Sequence, residues 1–423
     1  MTDSIKENGV EILCIGTELL LGNIINSNAK WISEELASLG LTHYRQTVIG
    51  DNYDRLKNEL IEASKRSRIL ITTGGLGPTP DDLTTEVIAS AFNTVLEERK
   101  EILEDIQQKL GPKISFSNCN IRKQALVPKG SKIIPNSRGT APGIIWSPKE
   151  DFTIITFPGV PSEMKSMWTQ SAVEWFKKFK DSECIIISKI LHFAGISEST
   201  LTEKIGNLIN NKNPTVAPYA SLGEVKLRIT AKAQDARQAN QLIQPIEDQI
   251  LLIAGNKYFG FNEDSLASVV IQLLRNRGET LAVAESCTGG GIGAAITSIS
   301  GSSDVFLGGI IAYHNSIKQN LLSVSEHLIK EDGAVSNQVT EAMASGVINQ
   351  FNSDWSIAIS GIAGPTGEHK SKKIGLVKFS IAGPFGVKSS SESFNPYIGR
   401  TGIQKLSVLK ALNELRLFLL SKS

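Results

Sequence analysis

Short apolar runs that stop at glycine open the chain. From Glu11 to Gly16, and again from Arg68 to Thr73 with Gly74 and Gly75 following, the residues are mostly apolar or β-branched, as in buried parallel strands. Between them, Asn28 to Leu39 changes to helical spacing, with Ala29, Ile32, Leu36 and Leu39 on one side and Gly40 as a stop. Gln46 to Ile49, ending at Gly50 and Asp51, is a further short segment. Strand, loop, helix and strand in this order predict an α/β sheet.

The pattern shifts from about Ser166 to Gly255. Cys184 to Phe193 and Glu224 to Ala231 read as strands and Gln234 to Leu251 as a helix, a small α+β domain. Near Tyr258 to Asp264 the chain turns, and a helical pattern begins at Ser265. The α/β alternation then resumes: a strand at Thr280 to Ala284, a glycine-rich turn into a helix over Gly291 to Ile299, strands near Gly309 to Tyr313 and Trp355 to Ser360, and a last helix from about Arg400 to Leu420. The run Ser389 to Ser393 reads as a solvated loop. The expected division is 1–165, 166–258 and 259–423.

A chain of 423 residues suits about three domains. With 44 basic and 43 acidic side chains, its net charge of +1 supplies no general field for nucleic acid or an anionic membrane. No apolar run approaches the ~20 residues that span a bilayer, and Met1 to Asn8 lacks the character of a secretory signal. A cytoplasmic protein is expected. Cys14, Cys119, Cys184 and Cys287 are scattered, so neither disulfides nor structural zinc are expected.

Two stretches carry chemistry. In TTGGLGPTPDDLT (Thr72 to Thr84), Thr79 fits a helix N-cap, Pro80 the first helical position and Asp82 the third. Backbone N–H groups at such a turn can cradle phosphate, but Asp81 and Asp82 would repel it unless a divalent cation lay between. Alternatively, the two acids only complement a helix dipole. Gly16, Thr17 and Glu18, together with Gly50 and Asp51, reach the same carboxyl rim of the strands, where open α/β sheets bind ligands, and this favours a site.

In the second stretch, AESCTGG (Ala284 to Gly290) lies between a strand and a helix. Cys287 has the position of an activated thiol, but no histidine is near in sequence, and a small buried cysteine is the simpler reading. Gly301, Ser302 and Ser303 form a turn, and YHNSIK (Tyr313 to Lys318) brings a phenol and an amine. Hydroxyl, phenol and amine are the parts of a metal-free acyl-transfer site. Lys318 can act as base only if burial or positive charge pulls its pKa well below the ordinary value of about 10.4; most single lysines are simply solvated.

IGTELLLG (Ile15 to Gly22), Gly50 with Asp51, TTGGLGPTPDDLT, GTAPG (Gly139 to Gly143) and FPGVPSEM (Phe157 to Met164) together resemble the N-terminal domain of the CinA family. AESCTGG, GSS (Gly301 to Ser303), YHNSIK, GAVS (Gly333 to Ser336), SGIAGPTG (Ser360 to Gly367) and GR (Gly399, Arg400) resemble its C-terminal domain. The resemblance implies two α/β domains, the first molybdopterin-binding-like, joined by a small α+β KH-like domain. No Gly-x-x-Gly loop occurs there to clamp a nucleic-acid backbone.

For the C-terminal domain the resemblance implies a nicotinamide mononucleotide deamidase that needs no cofactor. Ser303 matches the proposed nucleophile and Lys318 the general base, with Tyr313 beside them. Ser286, Thr288, Gly289, Ser360, Gly361 and Arg400 match substrate-binding positions, Arg400 suiting the phosphate. Threonine is common where Ser360 stands, and a hydroxyl is kept. Backbone N–H groups near Gly361 to Ala363 or in the Ser286 turn are candidates for the oxyanion.

For the N-terminal domain it implies an ADP-ribose pyrophosphatase that uses a divalent metal ion. Glu18, Asp51, Asp81 and Asp82 are then the metal-handling side, and Gly74, Gly75 and Gly77 face the pyrophosphate. The implied partners are these two nucleotides and a second copy of the chain, with no nucleic acid and no membrane. The rival reading is a non-enzymatic, competence-associated or molybdopterin-binding protein.

Overall fold

Alternation along the first strand already requires cover on both faces of a sheet. Ile12 and Cys14 belong to one core, whereas their neighbours Leu13 and Ile15 belong to another. The computed structural model describes residues 9–41, 43–111, 119–179, 185–368 and 372–421. Met1 to Asn8 and Cys184, the expected start of a strand, lie outside the described residues. Two compact units are present, Met1–Ile187 with Lys232–Ala239, and Ser188–Ala231 with Asn240–Ser423.

The first unit contains β1 (Val10–Ile15), β2 (His43–Ile49), β3 (Ile69–Thr73), a short pair β4 (Leu96–Glu98) and β5 (Leu126–Pro128), β6 (Lys132–Ile134), β7 (Gly143–Lys149) and β8 (Phe152–Phe157). Its main sheet has the order β2-β1-β3-β8-β7-β6. The β1–β2, β1–β3 and β3–β8 pairs are parallel, and β7 and β6 add antiparallel. The helix Ser27–Ser38 starts under Asn26, whose side chain accepts the Ala29 N–H, and buries Ala29, Ile32 and Leu36 as its spacing predicts. On the opposite face lie Leu56 and Leu60 of Tyr53–Arg66, together with Val87 and Ile88.

The expected boundary at 165 falls inside a continuous helical stretch. It runs from Pro161–Met167 through a π-helical turn at Trp168–Ala172 to Val173–Lys178. Met164, Met167, Trp168 and Phe176 from this stretch are all in the first core. Trp168 stacks on Phe176 with ring centroids 4.6 Å apart and meets the edge of Trp31 at 5.8 Å.

The second unit holds most of one sheet and the whole of another. β9 (Ile185–Ala194), β10 (Thr215–Ser221), β11 (Glu224–Ala233) and β12 (Tyr258–Phe261) form one in the order β10-β11-β9-β12, with the helix Ala236–Ala254 following β11. The other consists of β13 (Leu281–Glu285), β14 (Phe306–Ile311), β15 (Trp355–Gly361), β16 (Leu376–Gly383) and β17 (Gly386–Ser393), in the order β14-β13-β15-β16-β17. β14, β13 and β15 run parallel, and β16 and β17 return antiparallel. Leu281 and Val283 face the helices Leu266–Arg277 and Gly399–Leu420, whereas Ala282, Ala284 and Ala358 face Asn337–Phe351. Ser265 caps the first of these helices in a box with Ser268.

Within this unit the small sheet shares a core with the larger one. Ala194 and Phe259 pack with Leu266, Leu412 and Leu415. Arg416, 2% exposed, donates to the carbonyls of Tyr258 and Asn256 and to Asn413 Oδ1. Burial pushes its pKa down to about 10.

Two expectations from sequence are corrected. Ser389 to Ser393 is the end of strand β17, not a solvated loop: Ser389 bonds Ser380 and Glu341, and Ser390 bonds Glu414, so the hydroxyls are held by neighbours. The strand expected at Gly309 to Tyr313 is shifted towards the N-terminus, leaving Tyr313 beyond its carboxyl end. Replacing Trp168 by Ala is expected to destabilise the first unit by about 3–5 kcal/mol, the loss typical of a large aromatic cut to Ala in a core. Urea unfolding followed by the fluorescence of the remaining tryptophans measures it.

Candidate functional site

The carboxyl ends of β13, β14 and β15 meet at one place because the strands are parallel and in register. Glu285 lies opposite Ile359 and Ile311, so the next residues, Ser286, Ser360 and Ala312, emerge side by side. The Ser286 N–H donates to the Ile359 carbonyl at 3.0 Å, and the Ala312 N–H donates to the Glu285 carbonyl at 2.7 Å. The helix Asn315–Leu322 then turns Lys318 back beneath this rim.

Lys318 is 1% exposed, and its Nζ donates to the Ala312 carbonyl at 2.7 Å, the Tyr313 carbonyl at 3.3 Å and Ser286 Oγ at 3.3 Å. Burial holds this amine below the ordinary lysine range. Ser286 is also buried. At the mouth, Arg400 donates to the Gly364 carbonyl at 3.0 Å and to Tyr313 Oη at 3.4 Å. Ser360 Oγ donates to the Ala334 carbonyl. The Thr288 hydroxyl is buried among the described residues without a hydrogen-bond partner.

Ser303 is not in this cluster. It is exposed, in the turn Ser302–Asp304, which Arg275 holds through the Gly301 carbonyl and Asp304 before β14 begins. Tyr313 and Lys318 follow the other end of the same strand, which separates them from Ser303 by on the order of 15 Å at ~3.3 Å per residue. The hydroxyl adjacent to the amine is that of Ser286. Cys287 is no rival: burial pushes its thiol up to about 12, so it stays protonated.

Glu285 has an importance that the sequence did not reveal. It is 1% exposed, and its two oxygens accept the N–H groups of Gly290 and Ile292 on one side and Gly293 on the other. The Gly289 N–H is taken by Ser286 O and that of Ile362 by Leu376 O. The helix start therefore already holds an anion, and these amides are not free for an oxyanion or a phosphate. A buried acid just before a glycine-rich turn was the available signal.

In the first unit, a cleft of about 690 Å³ brings Glu18, Asp51, Asp81 and Asp82 together with Gly74, Gly75 and Gly77. Glu163 is a fifth carboxylate on its lining, missed from sequence because it comes from a distant helix. Gly74, at φ 101°, comes so near the first strand that an added Cβ would lie 2.1 Å from the Ile15 carbonyl oxygen. Its own N–H is bonded to Phe157 O.

Thr79 does not cap a helix. The helix begins at Thr84, and Asp82 Oδ2 instead accepts the Thr79 N–H and hydroxyl at 2.9 and 2.6 Å, closing a separate turn. Asp51 Oδ2 takes the N–H and hydroxyl of Thr17 in the same way at 2.9 and 2.8 Å. Each carboxylate is thus fixed through one oxygen. Among the described residues, no three His, Cys, Asp or Glu side chains come together as a metal cage. The donors fit an ion of the magnesium type, which takes one or two carboxylates and completes its shell with water and substrate phosphate.

Three family descriptions match the chain in order. These are a probable molybdopterin binding domain over residues 11–178, a damage-inducible protein CinA KH domain over 188–260 and a CinA C-terminal domain over 263–419. A CinA-like protein of Prochlorococcus marinus strain MIT 9313 is 56% identical over 423 residues, covering 100% of this chain and 99% of that protein. One from P. marinus strain NATL1A is 58% identical over 409 residues, covering 97% of this chain and 95% of that protein. A third, from Synechococcus sp. strain RCC307, is 55% identical over 414 residues, covering 98% and 99%.

A thiol buried and held protonated should not alkylate. Native protein treated with iodoacetamide at pH 8 is expected to leave the Cys287 peptide unmodified, and denatured protein to label it fully, as read by peptide mass spectrometry.

Proposed function

The chain belongs to the CinA family, and on that premise we propose that its second unit hydrolyses the carboxamide of nicotinamide mononucleotide to nicotinate mononucleotide and ammonia. The observation that carries this reading is the 3.3 Å contact between Lys318 Nζ and Ser286 Oγ, both buried. Desolvation favours the neutral amine, whose two N–H bonds suit the Ala312 and Tyr313 carbonyls and whose lone pair then meets the Ser286 hydroxyl.

Lys318 takes that proton as Ser286 Oγ attacks the carboxamide carbon. The C–N bond breaks, and the proton passes to the departing ammonia. Water then adds to the acyl ester, with the same amine as base, and nicotinate mononucleotide leaves with Ser286 regenerated. Arg400 offers its guanidinium to the substrate phosphate, and Tyr313, bonded to it, lines the same mouth. A purely binding role, whether competence-associated or for a pterin, has no use for a desolvated amine beside a hydroxyl.

For the first unit we infer metal-dependent hydrolysis of ADP-ribose, water adding across the P–O–P bond to give AMP and ribose 5-phosphate. The carboxylate-lined cleft supports it. A bound divalent ion would neutralise diphosphate charge. Asp51 and Asp82, each with one oxygen tied back, would hold it, and Glu18 and Asp81 share the lining.

Ser286→Ala and Lys318→Met are each expected to lower ammonia release by about 10³-fold or more, whereas Ser303→Ala keeps activity near wild type. A coupled ammonia assay on nicotinamide mononucleotide tests all three, and full activity in Ser286→Ala would remove the assignment. Because the reaction needs the unprotonated amine, kcat/KM should rise with pH and level off below the ordinary lysine value of about 10.4. The linkage has the same sign. The unfolded chain binds the Lys318 proton more tightly than the fold, so this residue's contribution to stability increases with pH up to that value. Added Mg²⁺ or Mn²⁺ is expected to support AMP release from ADP-ribose and EDTA to stop it, measured by chromatography.

A further inference from the structure

Next to the acidic cleft of the first unit lies a groove of about 650 Å³ with the opposite charge. Arg138 faces Ser162, Lys165, Ser166, Thr169 and Gln170 across it, and Pro161 lines both spaces. No carboxylate lines the groove, and no Lys or Arg lines the cleft, among the described residues. We propose that the groove is an anion subsite of the cleft, so that the preferred substrate carries a phosphomonoester besides its diphosphate, as an ADP-ribose phosphorylated on its 2′-hydroxyl does. This rests on reading the cleft as an ADP-ribose diphosphatase site.

Charge separation is the first ground. Five carboxylates on the cleft lining can accept a diphosphate only with cations, and an extra dianion would add repulsion there. In the groove, Arg138 and Lys165 have no carboxylate partner among the described residues. A guanidinium and an ammonium flanked by hydroxyls are the groups that bind phosphate.

The second ground is the rigidity of the loop that carries Arg138. Asn136 is 2% exposed, and its Oδ1 accepts the N–H groups of Arg138 and Gly139. Its Nδ2 donates to Ala141 O and to Glu163 Oε2. One buried amide thus fixes the cationic loop and the cleft's Glu163 together. Ser137 Oγ bonds Ser166 Oγ and Gln170 Oε1, tying the loop to the helix. Thr169 and Gln170 stand on the π-helical turn Trp168–Ala172, whose wider winding redirects them relative to a regular helix, a geometry common at functional sites.

The test uses the full chain with Mg²⁺ and compares ADP-ribose with its 2′-phosphorylated form, for wild type and for Arg138→Gln combined with Lys165→Gln. Wild type is expected to favour the phosphorylated substrate by about tenfold or more in kcat/KM, through KM, as for a charge-assisted contact. The double variant should show near parity, with plain ADP-ribose kinetics and melting temperature unchanged. Absence of preference in wild type, or preference that survives in the variant, overturns the proposal. A third arm adds inorganic phosphate to the ADP-ribose reaction. Phosphate binding that depends on both cations, without preference between the nucleotides, assigns the groove to the free ion and also overturns the proposal. Should neither nucleotide be cleaved, the diphosphatase reading fails separately, and the ratio of their dissociation constants, by calorimetry on the same two proteins, decides the subsite in the same way.

Discussion

A lysine placed where water does not reach constrains the whole second unit. The amine of Lys318 must be met by polar groups, and the two carbonyls and one hydroxyl that meet it come from residues next to the ends of two adjacent parallel strands. That convergence needs close packing behind the rim. Ala282, Ala284 and Ala358 on the sheet let the helix Asn337–Phe351 approach, and at Gly346 a Cβ would lie 2.1 Å from the Leu322 carbonyl oxygen. Larger side chains at these positions would push the helices away from the sheet and open the amine to solvent, where the burial that lowers its pKa would be lost.

Each unit steadies an acidic group by giving it backbone N–H donors, with different outcomes. Glu285 is buried with both oxygens engaged and serves to shape the turn that presents Ser286. Asp51 and Asp82 are engaged through one oxygen only and stay at the cleft, oriented yet with capacity to bind. A carboxyl side chain is thus framework in one place and lines a cleft with one oxygen uncommitted in the other, and the number of engaged oxygens distinguishes them.

Much of the fold could be read from local pattern. Runs such as Glu11 to Gly16 and the helical spacing of Ala29, Ile32 and Leu36 carry their own burial information, so these elements matched within a residue or two. Ser389 to Ser393 failed because its hydroxyls are satisfied by Glu341 and Glu414 from remote helices, which no local pattern records. In the site, the parts were legible as motifs but their grouping was not. Ser303 and Ser286 both precede Lys318 in suggestive glycine-containing turns, and only the strand direction shows that one turn lies at the amino end of the sheet and the other at the carboxyl end. Asp82 shows the same limit on a smaller scale: a threonine, a proline and two acids fit a helix start, until a side chain folds back and makes a turn of its own.

The buried guanidinium of Arg416 ties these levels together. It reaches from the final helix to the carbonyls of Asn256 and Tyr258, at the entry of the last strand of the small sheet, with no carboxylate among its hydrogen-bond partners in the described residues. Two stretches that look like independent modules along the chain are therefore fastened at their seam by a charge that neither can shelter alone. They should melt as one cooperative block, and the small sheet, cut away from the terminal helix, would lose part of its own interior.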